Sequence, residues 1–565
     1  MKKKKNRESK VLLKNEKMKK NKKNHHIKKN SVKKKEKSNE KAVSSNDKFK
    51  KEHFMKSKKI KNVYNKIIDE YELKIDEIVV KVIIRFSEDC KNYDLQLPLI
   101  GIGTSALIEQ LRKELISTTT IGAAEIAELK MINKLKKEFS EKASELLREK
   151  VPEISLQSEK FLVGILLQEM LGLGEIEFLM NDPQLEEIVV INSKEFLRVY
   201  HKKHGWLQTN IKISREEDIL NYSNIIARRV GRQINILAPL LDAHMITGDR
   251  ANSVLYPIAT KGNTITIRKF SRDPWTIIDL INNKTVNLDI ATLLWLAVEY
   301  EMNVLISGGT ASGKTVFLNS LMPFIPPNQR VISIEDTREL MLPGFLYWCP
   351  LATRTANPEG KGEVSMLDLL VNSLRMRPDR IILGEMRRQK EAEVLFEAMH
   401  TGHSVYATVH ADTASETISR LTNPPLNVPP NMLKIVNLNV VMFRDRRRGG
   451  RRVFQVAEYI AGNEKVTPNI LFRFSPERDE IIQHNQSLIF LEELSRHTAM
   501  SRLEIEKDMG NKKSILEWLI KNNIRDFESL GRVMNLYYTR PEELSTMIKK
   551  NDFSKILNNG NPAKT

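Results

Sequence analysis

The sequence predicts an α/β protein: a domain of strand–loop–helix units on a largely parallel sheet, preceded by a mixed α/β domain. A disordered basic tail is expected at the N-terminus and a helical tail at the C-terminus. Three observations predict this. Short β-branched runs alternate with helical stretches from about 284 to 447, and Asn303–Ser307 passes through a glycine-rich loop into Val316–Leu321. The excess charge is confined to the first 60 residues.

At 565 residues the chain is too long for one core, and its 41% hydrophobic content can fill several. The net charge of +20 is local: residues 1–60 hold 25 Lys and Arg against 6 Asp and Glu, and the remainder balances at 66 against 65. Such a Lys/Asn/Ser-rich tail buries too little apolar surface to offset its ordering entropy. Three readings of it stay open: a solvated extension, an arm on anionic lipid headgroups through residues 1–60, and contact with nucleic-acid or ribosomal phosphates. No apolar run follows the basic start, so no secretory signal is expected. The best membrane-spanning candidate, Ile290–Ile306, is interrupted by Glu299 and Glu301 and suits a helix running into a buried strand. Two cysteines, Cys90 and Cys349, form no Cys-x-x-Cys pair, which argues against a disulfide scaffold or a zinc site and fits a reducing cytoplasm.

The elements follow in order. After the tail at 1–60, residues 61–150 suggest an α/β extension, with a strand at Ile75–Phe86 and helices at Leu107–Ser117 and Ala123–Lys150. Residues 151–270 suggest a mixed α/β domain: a helix over FLVGILLQEMLG, a turn at Asn181-Asp182-Pro183, and strands EEIVVI and LRVYHK. A helix follows, with a capping box at Ser214-Arg215-Glu216-Glu217, and the domain closes with strand NTITIRKF. Arg228, Arg229, Arg232 and Arg250 crowd between that helix and that strand. Residues 271–283 suit a linker, 284–450 the parallel-sheet domain, and 451–565 a β-rich then helical region beyond Gly449-Gly450.

The chemistry lies in four segments. Gly308-Gly309-Thr310-Ala311-Ser312-Gly313-Lys314-Thr315 matches G-x-x-x-x-G-K-[ST], with a strand before it and a helix opening at Val316 after it. Its glycines let backbone N–H groups curl around phosphate oxygens, Lys314 reaches the β- and γ-phosphates, and Thr315 places its hydroxyl on Mg²⁺. A strand over VISIEDTRE ends in Glu335 and Asp336; at the carboxyl end of a parallel strand these face a nucleotide, and the plain alternative is a solvated acidic loop. RPDRIILGE ends in Glu385, placed to hold Mg²⁺ through water, or else an incidental acid after a core strand; Gly384 stands where such enzymes often carry Asp. TGHSVYATVHAD brings His403 and His410, which lack a third zinc ligand nearby and are either ordinary histidines or sensors of the γ-phosphate.

Together these segments resemble the ATPase superfamily that powers type II secretion, type IV pili, conjugative type IV secretion and archaeal surface filaments. The likeness is good over 150–450. The wording GGTASGKT and the helical tail ILEWLIKNNIRDFESLGRVMNLYYTRPEEL look most like the archaeal branch. The resemblance implies a RecA-like P-loop motor domain in a hexameric ring, with ATP between the N-terminal and motor domains. It implies Glu335 as catalytic base, Glu385 as Walker-B acid and metal ligand, and His410 in the nucleotide site with His403 less central. Arg250 and Arg268 would reach phosphates on closure; Arg228, Arg232 and Arg354 are weaker candidates beside the alternative of solvating a surface. The implied partner is a polytopic membrane platform protein, with the motor peripheral at the cytoplasmic face of the membrane. The tetracysteine zinc module of some members is missing, and the Lys-rich tail is not part of the pattern.

A nucleic-acid translocase is the second reading, since the same motor core serves such proteins. The folded body carries almost no excess positive charge and no evident stacking platform, so nucleic acid is not expected as a partner. A non-catalytic ring subunit is disfavoured by the intact loop and both acidic segments.

Overall fold

The computed structural model describes residues 66–557 apart from 76–77, 87–89, 98–100, 119–128, 246–247, 271–272, 357–359, 446–449 and 463–464. The Lys-rich tail expected at 1–60, Gly449, and the start of the expected linker therefore lie outside the described residues.

The N-terminal unit is built on nine strands in the order β1-β2-β3-β6-β5-β4-β9-β8-β7. The run expected as one strand at Ile75–Phe86 is half of a hairpin, β1 (Ile67–Ile75) and β2 (Ile78–Phe86), followed by β3 (Lys91–Gln96). Three helices come next: α1 (Ile102–Thr118), α2 (Leu129–Lys150) and α3 (Leu156–Leu171). The short α4 (Ile176–Asn181) leads to β4 (Leu185–Val190), β5 (Arg198–His201) and β6 (Gly205–Thr209). After α5 (Glu216–Arg229) the unit closes with β7 (Leu240–His244), β8 (Arg250–Val254) and β9 (Thr264–Arg268).

The boundary expected at 150 cuts through this sheet. β3 pairs with β6 through Asn92↔Gln208 and Tyr93↔Thr209, and the Asn210 amide closes the joint on both backbone groups of Leu95. Tyr71 and Tyr93 each donate a hydroxyl at 2.7 Å to the fully buried Asp182, so the carboxylate of the expected turn ties the first hairpin to the rest. The capping box expected at Ser214 does not form. The helix starts one residue later, so Arg215 is the cap residue and makes no side-chain cap; the Glu216 carboxylate accepts from the N–H groups of Ser193 and Asn263.

The second unit opens inside the expected linker. α6 (Ile277–Asn282) starts with a capping box between Thr276 and Asp279 and buries Ile277, Ile278 and Leu280 in the motor core. α7 (Leu288–Glu299) follows, and then β10 (Val304–Gly308) and α8 (Lys314–Leu321). Next come β11 (Arg330–Glu335), β12 (Tyr347–Ala352), α9 (Met366–Ser373), β13 (Arg380–Leu383) and α10 (Gln389–His400). The sheet continues with β14 (Ser404–Val409), α11 (Ala414–Thr422), β15 (Leu438–Arg444), β16 (Arg451–Ala461), β17 (Val466–Ser475) and β18 (Glu480–Gln483).

Its strand order is β12-β11-β13-β14-β10-β15-β16-β17-β18, with the first six parallel and the last three added antiparallel. A boundary at 450 is therefore corrected: β16 pairs with β15 along its length, so the later strands extend the motor sheet.

The helices after it are not a separate tail either. α12 (Phe490–Thr498), α13 (Arg502–Lys521), α14 (Phe527–Thr539) and α15 (Pro541–Lys550) share the core of α7 and β10. The reason is α7: residues 290–298 are all buried, so the helix is apolar on every side and needs cover opposite the sheet. Trp295 stacks on Phe324 at 4.9 Å and meets the edge of Tyr537 at 4.9 Å. Among the described residues no helix is long and apolar enough to cross a membrane.

The fully buried Lys512 locks this packing. It pairs with Glu299 at 3.0 Å and Asp508 at 2.6 Å and lies within 5.8 Å of the rings of Trp295, Tyr300 and Tyr537. Removing one member of a buried ion pair strands the other charge. Lys512→Ala is expected to lose about 3–5 kcal/mol of stability. Lys513→Ala, whose pair with Asp289 is exposed, should lose under about 1 kcal/mol. Thermal and urea unfolding of the two variants checks the contrast.

Candidate active site

The chemistry collects at the carboxyl edge of the parallel strands. β10 lies between β14 and β15, and the neighbouring strand ends supply Glu335 from β11, Glu385 just beyond β13 and His410 just beyond β14. That edge is where ligands bind in parallel α/β sheets.

The loop after β10 tolerates no side chain at its entrance. A Cβ on Gly308 (φ 151°) would stand 2.5 Å from the Met442 carbonyl and 2.6 Å from Ser312 Oγ. A Cβ on Gly309 would stand 2.7 Å from a carboxylate oxygen of Asp412. Gly313 caps α8 in the left-handed region (φ 92°), and Ala311 shares that region at 58°. Thr310 is exposed, Ser312 is buried and donates to the Gly309 carbonyl at 2.8 Å, and Thr315 is half-buried in the first turn. Val316 is 45% exposed, away from the core.

Lys314 curls back and donates to the carbonyls of Gly308 at 2.9 Å and Gly309 at 3.1 Å. Burial pulls its pKa down, against the nearby charges of Glu385 and Asp412. His410 lies beside it, with Nδ1 3.4 Å from the ammonium and Nε2 3.1 Å from Glu385 Oε1. Desolvation and then the Lys314 charge lower the His410 pKa, so the ring is neutral, accepting at Nδ1 and donating at Nε2. The other Glu385 oxygen takes Arg387 Nε at 2.9 Å, and Arg387 reaches on to Asp336 at 2.5 Å. A chain of contacts thus runs Lys314–His410–Glu385–Arg387–Asp336.

Glu335 is held apart from it. It is 2% exposed; Oε1 accepts from the N–H groups of Glu339 at 2.9 Å and Leu340 at 3.0 Å, and Oε2 is buried without a hydrogen-bond partner. Burial pushes its pKa up to about 7 despite the two amides. Gly384 packs on it: a Cβ there would lie 3.4 Å from Glu335 Cγ.

Arg250 and Arg268, expected at the phosphates, each end on a carboxylate. Arg250 pairs with Asp242 at 2.7 Å and Arg268 with Glu339 at 3.1 Å. Arg232 bridges the Asp242 and Thr355 carbonyls, and Arg354 bonds the Gly362 carbonyl. His403 stays outside the site, on Thr401 and the Ala398 carbonyl. Sequence reasoning missed Arg387, Asp412, His244 and Arg451. Arg451 bonds the Ala311 carbonyl at 3.3 Å, and His244 shares a hydrogen bond with Thr337 at 3.1 Å. The only sequence signals were Asp412 inside an already quoted motif and Arg387 two residues after the acid.

A triphosphate suits this loop: its mouth is lined by glycine backbone and one lysine now occupied by carbonyls it can exchange. Among the described residues no cluster of three or more His, Cys, Asp or Glu could hold a metal alone. A Mg²⁺ ion here would take phosphate oxygens beside donors such as the Thr315 hydroxyl and the Glu385 carboxylate. Strand, lysine-bearing glycine loop and acids at adjacent strand ends define a P-loop nucleoside triphosphatase.

Comparison with known proteins specifies it further. Residues 240–445 match the profile described as Type II/IV secretion system protein. The chain is 35% identical over 396 residues to the uncharacterised protein MJ0900 of the archaeon Methanocaldococcus jannaschii, covering 68% of this chain and 70% of the relative. It is 30% identical over 295 residues to the type IV secretion system protein PtlH of Bordetella pertussis, covering 45% of this chain and 84% of the relative. Among solved structures it is similar to the VirB11 ATPase of the Brucella suis type IV secretion system, 26% identical over 50% of this chain and 91% of that one, with a TM-score of 0.26. The superposition is too loose to compare residues, and the sequence likeness carries the assignment. The chain belongs to the type II/IV secretion system ATPase family.

Glu335 gives a pH-dependent signature. Its pKa is raised from 4.5 to about 7, so folding is unaffected by this group below about 4.5 and increasingly opposed as pH rises to 7. Glu335→Gln should therefore melt with the wild type near pH 5 and above it at pH 8.5, by on the order of 3 kcal/mol. Thermal melts at the two pH values test this.

Proposed function

We propose that this chain is a hexameric, Mg-ATP-driven motor for filament assembly or secretion, working at the cytoplasmic face of the membrane against a polytopic platform protein. The observation that carries the proposal is the place of the site. The segment whose amides hold the Glu335 carboxylate meets His244 and Arg268 of the N-terminal unit, so a change at that acid bears on how the two units sit.

In this reading the backbone from Gly308 to Val316 holds the triphosphate, and Lys314 exchanges the Gly308 and Gly309 carbonyls for β- and γ-phosphate oxygens. His410, hydrogen-bonded to Lys314 and Glu385, follows that exchange. Glu335, half ionised near pH 7, orients the attacking water and takes its proton. Thr315 and Glu385 would hold Mg²⁺, which would supply neutralisation of the phosphate charge. Arg250 leaves Asp242 for a phosphate as the units close. Domain motion then passes force to the platform protein.

Lys314→Ala should cut turnover on the order of 10²–10³-fold and weaken nucleotide binding. Glu335→Gln should cut it about 10²–10⁴-fold with affinity kept. Steady-state hydrolysis and equilibrium binding of a fluorescent ADP analogue separate the two. Rapid turnover by either variant would remove the assigned role. Stimulation by anionic liposomes supports the membrane motor; stimulation by single-stranded DNA with indifference to lipid would overturn it.

A further inference from the structure

The segment just beyond β11 is held from two sides. From within the motor, Asp336 is tied to Arg387 and to the Thr353 hydroxyl, and Leu340 is fully buried. From across the seam, Thr337 meets His244 at 3.1 Å and Glu339 meets Arg268 at 3.1 Å. The same short segment supplies the two amides that suspend the Glu335 carboxylate, and one of them belongs to Glu339 itself.

The two contacts from across the seam are not scattered. His244 opposes Arg250, and Arg250 opposes Arg268, in the registers of β7–β8 and β8–β9. Directly opposed residues share a face of the sheet, so the three form one row across three strands. That row faces residues 336–340, and its two outer members touch them.

We propose that His244 and Arg268 are positioning residues for Glu335: docked on Thr337 and Glu339, they fix the loop whose amides aim the carboxylate, so that hydrolysis follows the docking of the N-terminal sheet. The proposal rests on Glu335 being the base. Arg268 and Glu339 are 65% and 36% exposed, so their pair adds little to stability and is easily exchanged. That suits a contact made and broken in each cycle. It also gives Arg268 a partner of its own, distinct from the nucleotide phosphates.

A charge exchange tests this in the full-length protein. Arg268→Glu and Glu339→Arg should each lower kcat about 10-fold or more while affinity for a fluorescent ADP analogue stays within about twofold. The double variant should recover most of the lost kcat. Hydrogen exchange of the Glu339 and Leu340 amides, followed without nucleotide, should quicken in each single variant and slow again in the double. Thr337→Val, which cuts the His244 bond without altering charge, should reproduce the kcat loss and the faster exchange.

Loss of nucleotide affinity in Arg268→Glu with no recovery in the double variant would overturn the proposal and place Arg268 on the phosphates. Unchanged kcat and unchanged exchange in the single variants would overturn it too. The base assignment fails separately, through undiminished turnover by Glu335→Gln, and amide exchange would still report whether the seam holds the loop.

Discussion

A buried ammonium must be satisfied whether or not a phosphate is present, and much of the site follows from that requirement. Lys314 sits in the protein on the carbonyls of Gly308 and Gly309, with the neutral ring of His410 alongside. None of these partners carries a negative charge, so none competes with a triphosphate on electrostatic terms. The formal anion nearest in the contact chain, Glu385, is kept one step away by His410 and is already partnered by Arg387. Loop, histidine and acid therefore form a set in which a change at one member changes the partners of the next.

The second requirement is geometric. Glu335 combines deep burial, one oxygen suspended on two amides and one buried oxygen without a hydrogen-bond partner, which favours a carboxyl that ionises near neutrality. The absence of a side chain at Gly384 belongs to the same arrangement. A carboxylate at that position would be set against Glu335, and like charges at close range oppose ionisation. The departure from the Asp-Glu pair of many P-loop enzymes is thus matched by an acid supplied from the neighbouring strand.

What was legible in the sequence is what is local in it. The strand, loop and helix around Lys314 are contiguous, and Glu335, Glu385 and His410 each close a short apolar run, so a linear scan finds them. The misses are contacts between distant residues. Arg451 reaches Ala311 only because β16 joins the motor sheet, and His244 reaches Thr337 only across the seam. The boundaries expected at 150 and at 450 each fall inside a sheet for the same reason: pairing of β3 with β6, and of β15 with β16, is invisible to composition. Ser214 had the spacing of a cap with Glu217, but the helix begins one residue later with Arg215 at the cap position.

The apolar surface of α7 has a consequence for how the molecule is made. Its cover on one side comes from α13 and α14, which are synthesised more than 200 residues later. While the ribosome is still adding those residues, the finished P-loop rests on a helix whose outer face is open to solvent and to other nascent chains. The motor core thus matures after translation has passed residue 537, and a chain released early would present Trp295 and its neighbours as a chaperone or protease target.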